Sequence, residues 1–113
     1  MDYILRSAER EITKALQRDK SVLLLGPRQT GNTTLLNRLG GNIMISFVRP
    51  EVRQRYEASP SLLAGEVEAF REKNPAIQKP LVLIDEIQKV PQVLDVIQDL
   101  IDRQVANFAL RAE

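Results

Sequence analysis

Residues 26–34 have the types and spacing that bind phosphate. They match the pattern GxxxxGK(S/T) at every defined position except the lysine, for which the chain has an asparagine. In this pattern the glycines let backbone N–H groups surround an anion, and the helix that follows adds the positive end of its dipole. The residues predicted to bind phosphate are Gly26, Pro27, Arg28, Gln29, Thr30, Gly31, Asn32, Thr33 and Thr34. The alternative is a Gly/Pro turn that joins a strand to a helix capped by threonine.

The asparagine at position 32 lowers the affinity expected of this loop. A lysine there would place a full charge among the phosphates, whereas Asn32 offers a neutral amide on a shorter stem. The loss of one charge-assisted hydrogen bond costs about 1.5–3 kcal/mol, or roughly 10- to 150-fold in affinity. Phosphoryl transfer should suffer more, because such sites act mainly by stabilising charge. The alternative is an active site in which Arg28 of the same loop, or a basic residue of another subunit, supplies the missing charge.

Asp85 and Glu86 are the second group that could do chemistry. They follow residues 81–84, a charge-free apolar run that predicts a buried strand. Ligands of open α/β sheets bind at the carboxyl ends of the strands. Asp85 is therefore predicted to hold Mg²⁺ together with the hydroxyl of Thr33, and Glu86 to polarise the water that attacks the terminal phosphate. The alternative for this acidic pair is an ordinary solvated turn.

Alternating strands and helices must position these two groups. Apolar spacing and flanking prolines predict helices at residues 2–20, 61–73 and 90–101, with a short helix after residue 31. Charge-free apolar runs predict strands at residues 22–25, 43–48, 81–84 and 105–110. This order of elements predicts an α/β fold, a three-layer sandwich with a mostly parallel sheet.

The composition of the 113 residues excludes several classes of function. Without cysteine or histidine the chain has no disulfides, no thiolate or imidazole metal ligands and no histidine-dependent nucleophile. No apolar run approaches the roughly 20 residues that cross a bilayer, so we expect no membrane association and a cytoplasmic location. Nucleic acid binding is not indicated, because aromatic residues are few and Arg49, Arg53 and Arg55 are most simply a solvated patch.

The net charge of +1 hides an asymmetry along the chain. Residues 1–56 carry 10 basic and 5 acidic side chains, and residues 57–113 carry 6 and 10. The basic half contains the predicted phosphate loop, and the acidic half contains Asp85 and Glu86, as expected of a site that combines an anion with Mg²⁺.

The two motifs and their surroundings resemble P-loop ATPases of the AAA+ superfamily, in the bacterial and archaeal family with an N-terminal ATPase domain and a C-terminal domain of unknown function. The resemblance covers nearly the whole chain and rests on LLLGPRQTGNTTLL, RPEVRQRYEASPSLL and LVLIDEIQKVPQVLDVIQDLID. It implies ATP and Mg²⁺ as ligands, with weak binding and impaired hydrolysis because of Asn32. It also implies a single, truncated P-loop NTPase domain over residues 1–113, with a leading helix at 1–20 and an α/β core at 21–113.

The resemblance further implies the order of the strands. In this superfamily the sensor 1 strand, here residues 105–110, lies between the P-loop strand and the strand that ends in the acidic pair. The later strand that would cover the other side of residues 22–25 does not follow in the sequence, which predicts an exposed apolar edge and a homo-oligomer formed through it. The alternative function is a non-catalytic interaction module that has lost nucleotide binding and self-associates through this edge.

Overall fold

The computed structural model of the protein describes residues 21–25 and 39–112. The predicted helix at 1–20, the phosphate loop at 26–34 and nearly all of the helix that follows the loop lie outside these residues. The described strands and helices are β1 (Val22–Leu25), β2 (Ile43–Ser46), α1 (Pro50–Ala58), α2 (Leu62–Lys73), β3 (Leu81–Asp85), α3 (Leu94–Asp102) and β4 (Asn107–Ala112). Two 3₁₀ turns, Ile87–Lys89 and Pro91–Val93, connect β3 to α3.

The four described strands form one parallel sheet in the order β1-β4-β3-β2. Parallel neighbours need a crossover connection, and α1 with α2 joins β2 to β3 while α3 joins β3 to β4. β4 lies between the strand that leads into residues 26–34 and the strand that ends in the acidic pair, as predicted. The predicted α/β fold with a parallel sheet is confirmed.

The main core lies between the sheet and the three described helices. Its fully buried side chains include Phe47, Leu63, Val67, Val82, Ile84, Leu100 and Phe108. Burial of each such side chain contributes about 1.5–3 kcal/mol, which holds the helices on this face of the sheet. On the opposite face Leu83 and Ala109 are buried. Gly41 approaches Leu83 so closely that an added Cβ would lie 2.7 Å from its Cδ1 atom, so only glycine fits there.

Helix α1 was not predicted, and it changes the interpretation of Arg53. The apolar signal over residues 50–58 is weak, because only Val52 and Tyr56 recur at helical spacing, although Pro50 suits the first turn of a helix. Arg53 donates from Nη1 to the carbonyl oxygens of Phe47 and Val48, each at 3.0 Å. These carbonyls are thus satisfied by a side chain, and β2 ends at Ser46, two residues earlier than predicted.

β4 begins and ends two residues later than predicted. Ala106 packs into the core ahead of the strand, and Gln104 leaves α3 with a φ of 58°. The sheet pairing begins where the Asn107 N–H donates to the Pro80 carbonyl at 3.0 Å. The strand therefore continues through Arg111 to Ala112, so that a charged residue lies inside the sheet where the apolar run was predicted to end.

The predictions for the remaining described elements agree with the structure within a few residues. α2 is within one residue of its predicted bounds, whereas α3 begins at Leu94, after a 3₁₀ turn over the first part of the predicted segment. β1 lies at an edge of the described sheet. Leu23 and Leu25 are 55% and 70% exposed on this strand.

Candidate functional site

The predicted functional groups come at or directly after the ends of β1 and β3 in the sequence, and the carboxyl ends of these parallel strands lie at the same edge of the sheet. Leu25 ends β1 and continues directly into residues 26–34. Asp85 ends β3, and Glu86 follows it. Because the strands are parallel, the end of β1 and the acidic pair lie at the same edge of the sheet, with β4 between the two strands. Residues 26–34 lie outside the described residues, so their binding of phosphate stays a prediction.

Arg111 belongs to β4, the strand between β1 and β3, and no sequence pattern singled it out. Its Cα pairs with Leu24 of β1, and its neighbour Leu110 pairs with Ile84 of β3. Asp85 is one residue beyond Ile84, so the register places Arg111 opposite Asp85 and on the same face. The surface of Arg111 is 0% exposed, which makes it the largest fully buried side chain among the described residues.

The Nη1 atom of Arg111 joins the two predicted carboxylates. It donates to Asp85 Oδ1 at 3.0 Å and to Glu86 Oε1 at 2.8 Å. Asp85 and Glu86 are themselves only 3% and 1% exposed. The solvated turn considered for this pair is therefore wrong, because both acids are enclosed and engaged with a cation.

Glu86 reaches this position through a strained backbone. Its φ of 59° and ψ of 45° lie in the left-handed region, which costs a residue with a side chain of the order of 1–3 kcal/mol. The turn leads from β3 into the first 3₁₀ turn, where Gln88 donates from Nε2 to Glu86 Oε2 at 2.6 Å. Both carboxylate oxygens of Glu86 thus accept a hydrogen bond from the protein, and these bonds offset the strain.

The charges of this cluster stabilise one another against burial. Burial alone would raise the pKa of the Glu86 carboxyl, but hydrogen bonds from Arg111 and Gln88 and the charges of Arg111 and Lys89 together lower it. Burial would likewise lower the pKa of Arg111, but its hydrogen bonds to Glu86 and Asp85 raise it above its usual range. Glu86 is therefore a carboxylate and Arg111 a guanidinium at neutral pH.

The described residues do not fit a Mg²⁺ ion as they are arranged. Magnesium takes oxygen ligands at about 2.0–2.1 Å in an octahedron. Asp85 Oδ1 and Glu86 Oε1 already face a cationic nitrogen at hydrogen-bond distance. Within the described part of the chain there is also no group of three or more acidic, histidine or cysteine side chains that could hold a metal. Thr33, the other predicted ligand, lies outside it.

Arg111 was missed because its signal is not local. A single charge after an apolar run usually marks the end of a strand, and the partners of this one lie 25 and 26 positions earlier in the chain. The predicted strand order alone does not place Arg111. Together with a register that pairs the ends of the third and fourth strands, it would have placed Arg111 opposite Asp85 and Glu86.

Other described features do not contribute to this site. A cavity of about 300 Å³ beside β2, α1 and α2 contains none of the predicted site residues. In its wall the Tyr56 hydroxyl donates to the Glu66 carboxylate, and burial raises the pKa of Tyr56 above its usual range.

Of the three arginines considered as a patch, Arg53 binds backbone carbonyls. Among the described helices none is both long and apolar enough to span a bilayer.

The pH dependence of stability tests the charge cluster. In the native chain the lowered pKa of Glu86 stabilises the fold above about pH 4.3, its value when unfolded, and this stabilisation is lost as the pH falls through the folded pKa. In Arg111→Met, burial dominates and raises the pKa of Glu86, so the variant loses stability as the pH rises above about 4.3. The variant should be less stable by about 3–5 kcal/mol at pH 7 and by less than half of that at pH 4, in urea unfolding.

Arg103→Met is the matched control, since Arg103 pairs with Asp99 at 3.0 Å while both side chains are largely exposed. It should change the free energy of unfolding by no more than about 1 kcal/mol at either pH. A deficit of Arg111→Met that is the same at pH 4 and pH 7 would contradict the charge assignment.

Comparisons with known proteins agree with this geometry. The family model described as an AAA domain matches residues 18–111. The chain is 34% identical over 104 residues to an uncharacterized protein of Mycobacterium bovis and, to the same extent, to one of Mycobacterium tuberculosis. Each alignment covers 88% of this chain and 21% of the relative, so the chain spans about a fifth of the length of these curated relatives. No solved structure gives a significant match. The chain belongs to the AAA domain family.

Proposed function

We propose that this chain is the nucleotide-binding P-loop domain of a cytoplasmic AAA+-like ATPase, with weak binding of ATP and impaired hydrolysis. The observation that carries the proposal is the strand order β1-β4-β3-β2, in a chain that belongs to the AAA domain family. This order brings the end of β1, which residues 26–34 follow in the sequence, and the acidic pair Asp85 and Glu86 to the same edge of a parallel sheet, where ligands of such sheets bind.

The phosphates of the nucleotide would bind to the loop that follows β1. Backbone N–H groups of residues 29–33 hold them in this proposal, and Gly26 and Gly31 allow the loop to close around them. The sequence assigns Thr33 and Asp85 as ligands of Mg²⁺ and Glu86 as the base, and the roles of both acids would require Arg111 to leave their carboxylates. A loop of this kind recognises phosphates and not the base, so the preference for ATP rests on the family.

Two features support weak binding and impaired hydrolysis. Asn32 removes the charge that a lysine would place among the phosphates. Arg111 holds Asp85 and Glu86 in buried ion pairs, so neither carboxylate is available to a metal or a water while these contacts persist. A base that already accepts hydrogen bonds from Arg111 and Gln88 has little capacity left to take a proton.

We further propose that copies of the chain associate through the β1 edge. Leu23 and Leu25 expose more than half of their surface on an edge strand. Such an edge offers unpaired backbone groups together with apolar side chains, and a strand of a second copy satisfies both.

Nucleotide affinity tests the proposed function. Titration with a fluorescent ATP analogue should give saturable binding to the native chain, and Asn32→Lys should tighten it at least tenfold, because a charge-assisted contact is restored. Asn32→Gln is the control for the length of the side chain and should have little effect. The proposal fails if the native chain binds no nucleotide at millimolar concentration, and the argument about the lysine fails if Asn32→Lys binds no more tightly.

The oligomeric state tests the role of the β1 edge. Light scattering across a range of protein concentrations should show association of the native chain, and Leu25→Lys should abolish it by placing a charge on the edge. Leu94→Lys is the matched control, since Leu94 is 47% exposed on α3, away from that edge, and should leave association unchanged. A native chain that stays monomeric at all concentrations would rule out this interface.

A further inference from the structure

The buried cluster of Arg111, Asp85 and Glu86 occupies the place in the fold where the family leads one to expect Mg²⁺. Arg111 pairs with Leu24, one residue before the end of β1, and faces Asp85 at the end of β3. Its guanidinium therefore lies between the strand that leads into the predicted phosphate loop and the strand that carries the predicted metal ligand.

A guanidinium and a divalent cation compete for these oxygens. Arg111 Nη1 contacts Asp85 Oδ1 and Glu86 Oε1, so that a metal bound to the same oxygens would lie against a positive charge. The arginine is fully buried, and moving its charge away from Asp85 and Glu86 would break two ion pairs in an enclosed site. Glu86, in turn, is held by a hydrogen bond from Gln88 and by the left-handed turn of its own backbone.

We propose that Arg111 replaces Mg²⁺ as the counter-ion of Asp85 and Glu86, so that this chain binds nucleotide phosphate independently of Mg²⁺. The second half of this statement rests on the proposed function, whereas the first concerns only the described residues. The charge of the counter-ion differs from that of a metal, since a guanidinium carries one positive charge where Mg²⁺ would supply two. Unlike a metal ion, the arginine cannot dissociate from the protein, because it is part of the chain.

Metal binding without nucleotide tests whether Arg111 replaces Mg²⁺ as the counter-ion of the two acids. Mn²⁺, a paramagnetic substitute for Mg²⁺, is titrated into the full chain and free Mn²⁺ is followed by electron paramagnetic resonance. Arg111→Met should bind Mn²⁺ at least tenfold more tightly than the native chain, and adding Asp85→Asn should abolish the gain. Arg103→Met removes the exposed partner of Asp99 and should create no such site. Circular dichroism establishes that each variant is folded.

Nucleotide affinity with and without Mg²⁺ tests whether the chain binds nucleotide phosphate independently of the metal. The native chain should bind a fluorescent ATP analogue with the same affinity in EDTA and in Mg²⁺, within about threefold, whereas Arg111→Met should gain at least tenfold in Mg²⁺. A native chain that binds no nucleotide in either buffer overturns the proposed function and, with it, Mg²⁺-independent nucleotide binding. The Mn²⁺ titration still decides whether Arg111 replaces the metal as counter-ion.

Three results would overturn the role of Arg111. One is Mn²⁺ binding to the native chain as tight as that to Arg111→Met. Another is the absence of a new site in a folded Arg111→Met, because the freed carboxylates should then accept a cation. The third does not depend on that variant folding: a tenfold or larger Mg²⁺ dependence of nucleotide binding in the native chain, lost in Asp85→Asn, would show that the metal reaches Asp85 despite the arginine.

Discussion

At the carboxyl end of β4 a guanidinium without access to water donates to two carboxylates, and the arrangement of the neighbouring strands depends on these contacts. Removing a charge from water is costly, and only close partners of opposite charge, themselves satisfied by hydrogen bonds, compensate for it. Asp85 and Glu86 supply these partners to Arg111, and Gln88 satisfies the remaining oxygen of Glu86. A slip of one residue between β3 and β4 would move Arg111 to the opposite face of the sheet and break both of these buried ion pairs.

The same contacts determine what the edge of the sheet can do. The parallel order places the end of β1 and the acidic pair at the same edge of the sheet, where ligands of open α/β sheets bind. However, the two carboxylates are already engaged with Arg111, and the loop has an asparagine where a lysine would bring its charge. The chain therefore has a neutral side chain at position 32 and a buried guanidinium at position 111. On the proposed function, a domain of a nucleotide-binding family thus combines a phosphate loop without its lysine with acids held by an arginine.

The elements that sequence reasoning predicted well are those whose signal is local. β1 and β3 are charge-free apolar runs, and α2 is bracketed by prolines, so their bounds were predicted within one residue. α1 was missed because it buries little more than Tyr56 and is held through Arg53 by carbonyls of the preceding loop. β4 was misplaced by two residues, and Arg111 was overlooked, because a charge inside a strand is tolerated only when partners from another strand meet it. That information lies in the register, which no single segment contains.

A double-mutant cycle between Arg111 and Glu86 tests the central claim most directly. Urea unfolding at neutral pH gives the free energies of the native chain, Arg111→Met, Glu86→Gln and the double variant, from which the coupling between the two side chains follows. A buried charge pair at 2.8 Å should give a coupling of about 1.5 kcal/mol or more, with the double variant less destabilised than the two single effects added together. A coupling within about 0.5 kcal/mol of zero would contradict the account, because Arg111 and Glu86 would then not depend on each other.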